Sequence, residues 1–148
     1  MKKLKYNGYS IVMQEVPNEV SLAINISGCP HKCEGCHSKY LWKYDGEYLI
    51  DDIEKLLNQY SGLITCVCFM GGDQNQDDLL YCINMANKKE LKTCLYTGVD
   101  DINMINKEII EVLDYIKIGR YIEKYGGLDK NTTNQKFFDL KNNKEVFF

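Results

Sequence analysis

Three cysteines, Cys29, Cys33 and Cys36, stand close together in the sequence at the spacing C-x3-C-x2-C. Thiolates this close along a chain can converge on one inorganic centre. Four thiolates saturate a 4Fe-4S cluster, whereas three leave one iron without a protein ligand and open to a substrate. The spacing therefore predicts an iron–sulfur cluster with one reactive iron.

A structural zinc site is the alternative for the same residues, with His31 or His37 as the fourth ligand. Structural zinc usually uses two short Cys/His hooks separated by about a dozen residues or more, and only one hook is present. His37 also adjoins Cys36, which makes joint coordination awkward. The single hook favours the cluster over zinc.

The composition is that of one ordinary globular domain, expected over residues 1–148, with 45% hydrophobic and 26% charged residues. Seven cysteines are an odd number, so a closed disulfide framework cannot use them all. The net charge of −3 and a single arginine, Arg120, disfavour a nucleic-acid partner. The predicted protein is small, soluble and rich in thiols that remain available for metal.

The chain carries neither the apolar core of a secretory signal behind its lysine-rich start nor an apolar run of about 18 residues. We therefore expect a cytoplasmic protein with no membrane partner. In that compartment thiols stay reduced, and clustered cysteines more often bind metal or do chemistry.

A predicted strand over residues 19–27 leads directly into the cysteine motif, because Val20, Leu22, Ile24 and Ile26 alternate with polar or small residues. Further strands are expected at 63–70, 91–97 and 115–118, and helices at 50–61, 77–88 and 104–112. Residues 125–148 are polar and turn-rich except at their end. The elements thus alternate between strand and helix.

This alternation predicts an α/β fold with a parallel sheet and right-handed crossovers. A complete TIM barrel needs about 200 to 250 residues, so we expect a partial, half TIM-like βα barrel that is open on one side. In such sheets the functional loops follow the carboxyl ends of the strands. The open side would admit a partner.

Tyr96 and Thr97 end the third predicted strand, where this fold places its ligand, and are therefore candidate ligand-binding residues. Gly71 and Gly72 end the second predicted strand, and Lys117 is a charged residue in the otherwise apolar fourth. The remaining cysteines occupy apolar segments without ligand spacing, and we expect them to be buried packing residues: Cys66, Cys68, Cys82 and Cys94.

Together these motifs resemble the radical S-adenosylmethionine enzymes, and within them the activating components of anaerobic (class III) ribonucleotide reductases. The similarity extends over nearly the whole chain, in order. The matching segments are Ser27-Gly28-Cys29-Pro30-His31-Lys32-Cys33-Glu34-Gly35-Cys36-His37-Ser38, Leu41-Trp42, Met70-Gly71-Gly72-Asp73, Tyr96-Thr97-Gly98, residues 115–122, Gly127-Leu128-Asp129 and residues 132–136.

The resemblance implies an enzyme in which Cys29, Cys33 and Cys36 hold a 4Fe-4S cluster. S-adenosylmethionine would bind the open iron through its amino and carboxylate groups. Its reduction would yield methionine and a 5′-deoxyadenosyl radical, which would take a hydrogen atom from a glycine of the large reductase subunit.

Other residues acquire roles by the same resemblance. Gly71, Gly72 and Asp73 occupy the Gly-Gly-Glu position, whose backbone meets the amino group of the methionine moiety, with Asp in place of Glu. His37 would stack near the adenine. Lys117 is a candidate for the methionine carboxylate, next to Ile118, where relatives often carry Asp.

The implied partners are the large catalytic subunit, with its glycine loop as substrate, and a low-potential electron donor such as flavodoxin or ferredoxin. A homodimer is compatible with the resemblance. We expect the docking rim near Trp42 and residues 131–135. The alternatives are an activase of another glycyl-radical enzyme of the formate-lyase type, whose chains are longer, and a small zinc-binding interaction module.

Overall fold

The computed structural model describes residues 2–33 and 39–148, which form a mixed α/β fold around an eight-stranded sheet. The strands are β1 (Lys5–Val12), β2 (Ser21–Ile26), β3 (Glu47–Tyr48), β4 (Cys66–Met70), β5 (Lys92–Tyr96), β6 (Tyr115–Ile118), β7 (Lys136–Asp139) and β8 (Lys144–Val146). The helices are α1 (Leu49–Gln59), α2 (Gln76–Lys88) and α3 (Lys107–Val112), with short 3₁₀ helices at Lys39–Trp42 and Ile102–Met104.

Four neighbouring strands, β2, β4, β5 and β6, are parallel and correspond to the four strands predicted from the sequence. Their register aligns one row of apolar side chains across the sheet, formed by Ile24, Phe69, Leu95 and Ile116. All four are fully buried. A strand buried on both faces carries a nearly continuous apolar run, which is the pattern of β4.

The three helices cover the sheet face that carries this row. α1 contributes Ile53 and Leu57 to the main core, α2 contributes Leu79 and Ile83, and α3 contributes Ile109. Each helix follows a buried strand or precedes one, as expected for crossover connections between parallel strands. The α/β class is therefore confirmed.

The opposite face carries a smaller core, made of Val16, Cys66, Cys68, Cys94 and Phe137. Alternation along β4 and β5 explains the division, because successive side chains of a strand point to opposite faces. The helix-free face also receives Tyr96 and Lys117 near the carboxyl ends of their strands. Tyr96 and Lys117, on this face, also line the candidate site described below.

The prediction of a parallel sheet holds for the four central strands and is wrong at both edges. β1 pairs antiparallel with β2 and carries β3 on its outer side, and β7 pairs antiparallel with β6 and carries β8. The order β3-β1-β2-β4-β5-β6-β7-β8 is linear over the described residues, so the sheet does not close into a barrel. The prediction of a half TIM-like barrel is therefore not confirmed by this strand order.

Segments outside the parallel core differ from expectation in detail. The helix expected over 104–112 is divided into the 3₁₀ turn Ile102–Met104 and the short helix α3. Residues 125–148, expected to be turn-rich, contain β7 and β8. Every helix within the described parts of the chain is too short or too polar to cross a membrane.

Candidate functional site

A cavity lies beyond the carboxyl ends of the parallel strands, where the sequence predicted the functional loops. Its wall combines residues of the cysteine loop with residues that end β4, β5 and β6. The sequence-predicted residues that line it are Cys29, Cys33, Gly71, Asp73, Tyr96, Thr97, Lys117, Trp42 and Gln135.

The beginning of the cysteine loop is fixed to the segment that follows it. Cys29 N–H donates to the Leu41 carbonyl at 2.9 Å, and Gly28 N–H donates to the Lys43 carbonyl at 3.3 Å. Gly28 has a φ of +74°, a conformation that glycine adopts without strain and that turns the chain out of the sheet. Cys29 and Cys33 are both half-buried at this position.

The sulfur of Cys29 is surrounded by groups that act in opposite directions on its pKa. Burial raises the pKa of the thiol, and this effect dominates. The backbone N–H groups of His31 and Lys32 donate to the sulfur and lower the pKa. Such N–H donors favour a thiolate, which is the form that binds iron.

Cys36 and His37, the third predicted ligand and the predicted adenine neighbour, lie outside the described residues. Over residues 2–33 and 39–148, no three side chains of His, Cys, Asp or Glu are grouped closely enough to hold a metal ion. The ligand assignment therefore remains a prediction for all three cysteines.

Gly71 and Gly72 both have φ values above +100°, but their missing side chains face different surroundings. Gly71 lines the cavity, and its N–H donates to the Tyr96 carbonyl at 2.8 Å. A Cβ on Gly72 would lie 3.1 Å from the terminal methyl groups of Ile26 and Leu79, inside the main core. Gly71 is therefore the glycine whose backbone faces the cavity, and Gly72 is required by packing.

The carboxylate of Asp73 accepts hydrogen bonds from three sources. His31 Nε2 lies 3.0 Å from Asp73 Oδ2, Thr97 donates through its hydroxyl, and the backbone N–H of Asp73 itself also donates. Burial alone would raise the pKa of this carboxyl, but the donors, led by His31, bring it below its usual value. Asp73 is thus an ionised, hydrogen-bonded anchor at the end of β4.

Lys117 is a buried cation at the end of β6. Its Nζ donates to the Thr97 carbonyl at 2.9 Å and to the Gly119 carbonyl at 3.1 Å, and it lies 5.6 Å from the centre of the Tyr96 ring. Burial lowers the pKa of Lys117 to about 8. Within the described residues two of its three N–H groups have hydrogen-bond acceptors, so the third is available to a ligand in the cavity.

The hydroxyl group of Tyr96 is held by a hydrogen bond that it donates to the Glu15 carbonyl. Its ring packs at a steep angle against Phe137, 6.2 Å between centroids. Tyr96 therefore presents the flat side of its ring to Lys117 and contributes apolar wall to the cavity.

The four remaining cysteines are fully buried, as predicted. Burial raises the pKa of Cys66, Cys82 and Cys94, so these thiols stay protonated. Cys68 and Cys94 belong to the smaller core on the helix-free face. Packing is sufficient to explain all four.

The described residues fit a thiolate-bound cluster beside a small polar ligand. Cys29 has the N–H donors that a thiolate needs, Gly71 brings bare backbone to the wall, and Lys117 has a free donor. Gln74 also lines the cavity, and its side-chain oxygen is buried without a hydrogen-bond partner in the described parts of the chain. That oxygen can accept from an amino group.

This architecture, a cysteine loop beside a cavity at the ends of parallel strands, suits an iron–sulfur centre. A family model described as a 4Fe-4S single cluster domain matches residues 19–145, and the chain belongs to this family. The match favours iron–sulfur over the zinc alternative.

Relatives with assigned names give a finer comparison. The protein named anaerobic ribonucleoside-triphosphate reductase-activating protein in Enterobacteria phage T4 is 24% identical over 131 residues, which cover 82% of this chain and 80% of the phage protein. Proteins of the same name in Escherichia coli K12 and O157:H7 are each 22% identical over 115 residues, covering 66% of this chain and 72% of theirs. No solved structure matches. The similarity to reductase-activating proteins is confirmed.

Sequence reasoning missed three residues of the cavity region: His31, Gln74 and Gly98. The sequence assigns His31 only to the zinc alternative, although its position between Cys29 and Cys33, two predicted ligands, points to the site. Gly98 is distinguished in the sequence only as part of the matching segment Tyr96-Thr97-Gly98. Its role depends on a contact with His31 across the chain, which no local pattern reveals.

Proposed function

We propose that this protein activates an anaerobic ribonucleotide reductase by generating a glycyl radical on its large subunit, as a cytoplasmic radical S-adenosylmethionine enzyme. The observation that supports it most directly is the joint lining of one cavity by Cys29, Cys33, Gly71 and Lys117. The names of the relatives support the choice of reductase.

When bound, a 4Fe-4S cluster would supply one electron, breaking the C5′–S bond of S-adenosylmethionine to give methionine and a 5′-deoxyadenosyl radical. That radical would take a hydrogen atom from Cα of the substrate glycine, giving 5′-deoxyadenosine and the glycyl radical. A low-potential donor, a flavodoxin or a ferredoxin, would return the electron.

The residues of this chain would bind the cluster and would bind and orient S-adenosylmethionine. Cys29, Cys33 and Cys36 would hold three irons. Gly71 would meet the amino group of S-adenosylmethionine through backbone, supported by the anchored carboxylate of Asp73. Lys117 would give its free N–H to the carboxylate of the methionine moiety.

Other parts of the cavity would serve the adenosine moiety. Tyr96 and Thr97 form its wall at the end of β5, and His37 would stack near the adenine. Gly72 supports the same loop from the core, where its missing side chain leaves room for Ile26 and Leu79.

The reductase would complete the site from the open side of the sheet. A primary radical must be kept from water, which requires closure around the reacting atoms. Trp42 and Gln135, at the predicted docking rim, line the same cavity as the cysteines. In this arrangement the parallel strands serve as half of a TIM-like barrel, and the glycine loop enters where the barrel is incomplete.

The electron donor would dock on a second groove that shares Cys29 with the cavity. This groove is lined by Lys2, Lys3, Lys32 and Tyr44, and it also shares Trp42 and Gln74 with the cavity. The ammonium groups of Lys2 and Lys5 lie 5.0 and 4.6 Å from the centre of the Tyr44 ring. A basic groove beside a cluster ligand fits an acidic electron-transfer protein.

An activase of a formate-lyase-type enzyme is the second candidate, because it would use the same cysteine loop. The names of the relatives favour the reductase. The test is anaerobic reconstitution with iron and sulfide, reduction, and assay of S-adenosylmethionine cleavage. We expect a brown protein that forms 5′-deoxyadenosine and methionine. A colourless zinc protein without this activity would refute the proposal.

A further inference from the structure

His31 lies between two predicted cluster ligands, yet one of its ring nitrogens is committed elsewhere: Nε2 contacts Asp73 Oδ2 at 3.0 Å. We propose that His31 is a positioning residue that fixes the cysteine loop against the loop of Gly71, Gly72 and Asp73, and thereby sets the affinity for S-adenosylmethionine. This inference rests on the proposed function.

The receiving carboxylate is suited to such a link. Asp73 is only 9% exposed in its side chain, and His31 is 16% exposed. The hydroxyl of Thr97 also donates to this carboxylate, so segments from the cysteine loop, the end of β4 and the end of β5 meet at one anion. Hydrogen bonds to an ionised acceptor are stronger than neutral ones, especially away from water.

Space for the imidazole is provided by a glycine on the neighbouring strand end. A Cβ on Gly98 would lie 2.6 Å from Cγ and 2.7 Å from Cδ2 of His31, which is too close for real atoms. The φ of Gly98 is not in the left-handed region, so its backbone conformation does not require glycine. The reason for glycine at this position is therefore steric, and it concerns His31.

The link matters because, within the described residues, this loop has few attachments to the sheet. The Gln74 side chain donates to the Ser27 carbonyl at 3.0 Å, just before the loop begins. The backbone bonds of Gly28 and Cys29 hold the start of the loop to Lys43 and Leu41, which are themselves outside the sheet. Within the described residues, the His31–Asp73 contact is the hydrogen bond that joins residues 30–33 to the end of a parallel strand.

A ligand held at both the open iron and the backbone of Gly71 needs the two loops at a fixed separation. If the loops are already fixed, binding does not have to order them, and the affinity is higher. Without the His31 link, the cysteines could still collect iron, but the two halves of the binding site would not be held in register. Loss of the link should therefore weaken the binding of S-adenosylmethionine while leaving the iron content unchanged.

The experiment compares three variants in reconstituted, cluster-loaded protein. His31→Leu removes the donor, Gly98→Ala displaces the imidazole without changing His31 or Asp73, and His31→Gln retains an N–H near the position of Nε2. Lys92→Leu is the matched control, since it removes a 3.4 Å ion pair with Glu19 at the opposite end of β5. The readouts are iron content, the Kd for S-adenosylmethionine and the change in the EPR spectrum of the reduced cluster on its addition.

We expect full iron content in all four proteins. The Kd should rise at least about tenfold in His31→Leu and Gly98→Ala, as for other residues that orient a site from behind its ligands. It should stay within about threefold of the parent protein in His31→Gln and Lys92→Leu, with the EPR change restored by Gln. Unchanged Kd in His31→Leu, or loss of its iron, would overturn the inference.

Hydrogen exchange on iron-free protein tests the link without cofactor. His31→Leu should accelerate exchange at the amides of Cys29 and Gly71, and Lys92→Leu should not; equal exchange would count against the link.

A parent protein that holds its cluster but does not bind S-adenosylmethionine would refute the proposed function and the inference together. A parent protein that binds it, with variants that bind equally well, would refute the inference alone.

Discussion

Cys29 and Cys33 differ from the buried cysteines in what surrounds their sulfur atoms. They are half-buried on a loop that lines a cavity, and Cys29 accepts backbone N–H bonds. Cys66, Cys82 and Cys94 are enclosed by apolar side chains that keep the thiol protonated. Exposure and hydrogen bonding, rather than residue type, separate candidate ligands from packing residues.

Alanine at Cys29, Cys33 or Cys36 should therefore abolish cluster assembly, because a cluster held by two thiolates is poorly retained. Alanine at Cys66, Cys68, Cys82 or Cys94 should lower stability while leaving iron content unchanged. Iron and sulfide analysis after anaerobic reconstitution measures the first effect, and thermal unfolding measures the second. Full iron in a Cys29→Ala protein would contradict the ligand assignment.

Lys117 should make stability depend on pH in a particular direction. Burial lowers its pKa from 10.5 to about 8, so between these values the folded chain binds fewer protons than the unfolded chain. The charged lysine thus costs stability below pH 8, by up to about 3 kcal/mol, and the cost disappears as the pH rises to 10.5.

The measurement is chemical unfolding of iron-free protein at several pH values beside Lys117→Met. The variant should be more stable relative to the parent at pH 7 than at pH 10. A difference that stays constant over this range would show that Lys117 titrates normally in the folded state.

At the scale of elements, the parallel strands and the edge strands differed in how far the sequence revealed them. β4 reads Cys-Val-Cys-Phe-Met and is buried along its length, so its apolar run was visible. β1 is exposed over most of its length, contains Gly8 and has an irregular register with β2 between Tyr6 and Tyr9. It pairs with β2, the next strand along the chain, but its mostly exposed side chains give no apolar run that a local pattern could reveal.

The residues of the candidate site also differ in how far the sequence predicts them. Residues that end parallel strands were predictable, because the fold class places strand ends together. Cys29, Gly71 and Lys117 accordingly share one cavity. The contact between His31 and Asp73, and the steric role of Gly98, arise from loops that meet across 42 and more residues of sequence.

The strand β7 lies between β6 and the edge strand β8, and it contributes a buried aromatic side chain to the smaller core. Phe137 is fully buried and packs against Tyr96, Tyr115 and Phe148. Phe137→Ala should reduce the free energy of unfolding by about 3–5 kcal/mol. Phe147→Ala, at a position that is 82% exposed, should change it by less than about 0.5 kcal/mol. Similar losses in denaturant titrations of both variants would contradict the packing described for β7.

At the scale of the whole molecule, the net charge of −3 hides an uneven surface. Basic side chains gather at the groove beside Cys29, formed in part by Lys2, Lys3 and Lys32. Cluster reduction by an acidic flavodoxin should therefore slow as ionic strength rises, because salt screens the attraction. Stopped-flow absorbance of the cluster follows this reaction.

Charge reversal separates docking from general electrostatics. A double variant Lys2→Glu/Lys3→Glu should slow reduction about tenfold or more at low salt. The control Lys55→Glu/Lys107→Glu changes the net charge equally on α1 and α3, away from the groove, and should have a small effect. Equal slowing in both double variants would count against docking at this groove.

Under the proposed function, the same molecule presents its cavity to a macromolecular substrate. The most direct measurement is EPR of the cognate large reductase subunit after anaerobic incubation with cluster-loaded activase, S-adenosylmethionine and a low-potential reductant. We expect a glycyl radical signal, formed with about one 5′-deoxyadenosine per radical and absent with Cys29→Ala. Cleavage of S-adenosylmethionine without a radical on the reductase, or a radical that forms equally well with Cys29→Ala, would contradict activation by this site.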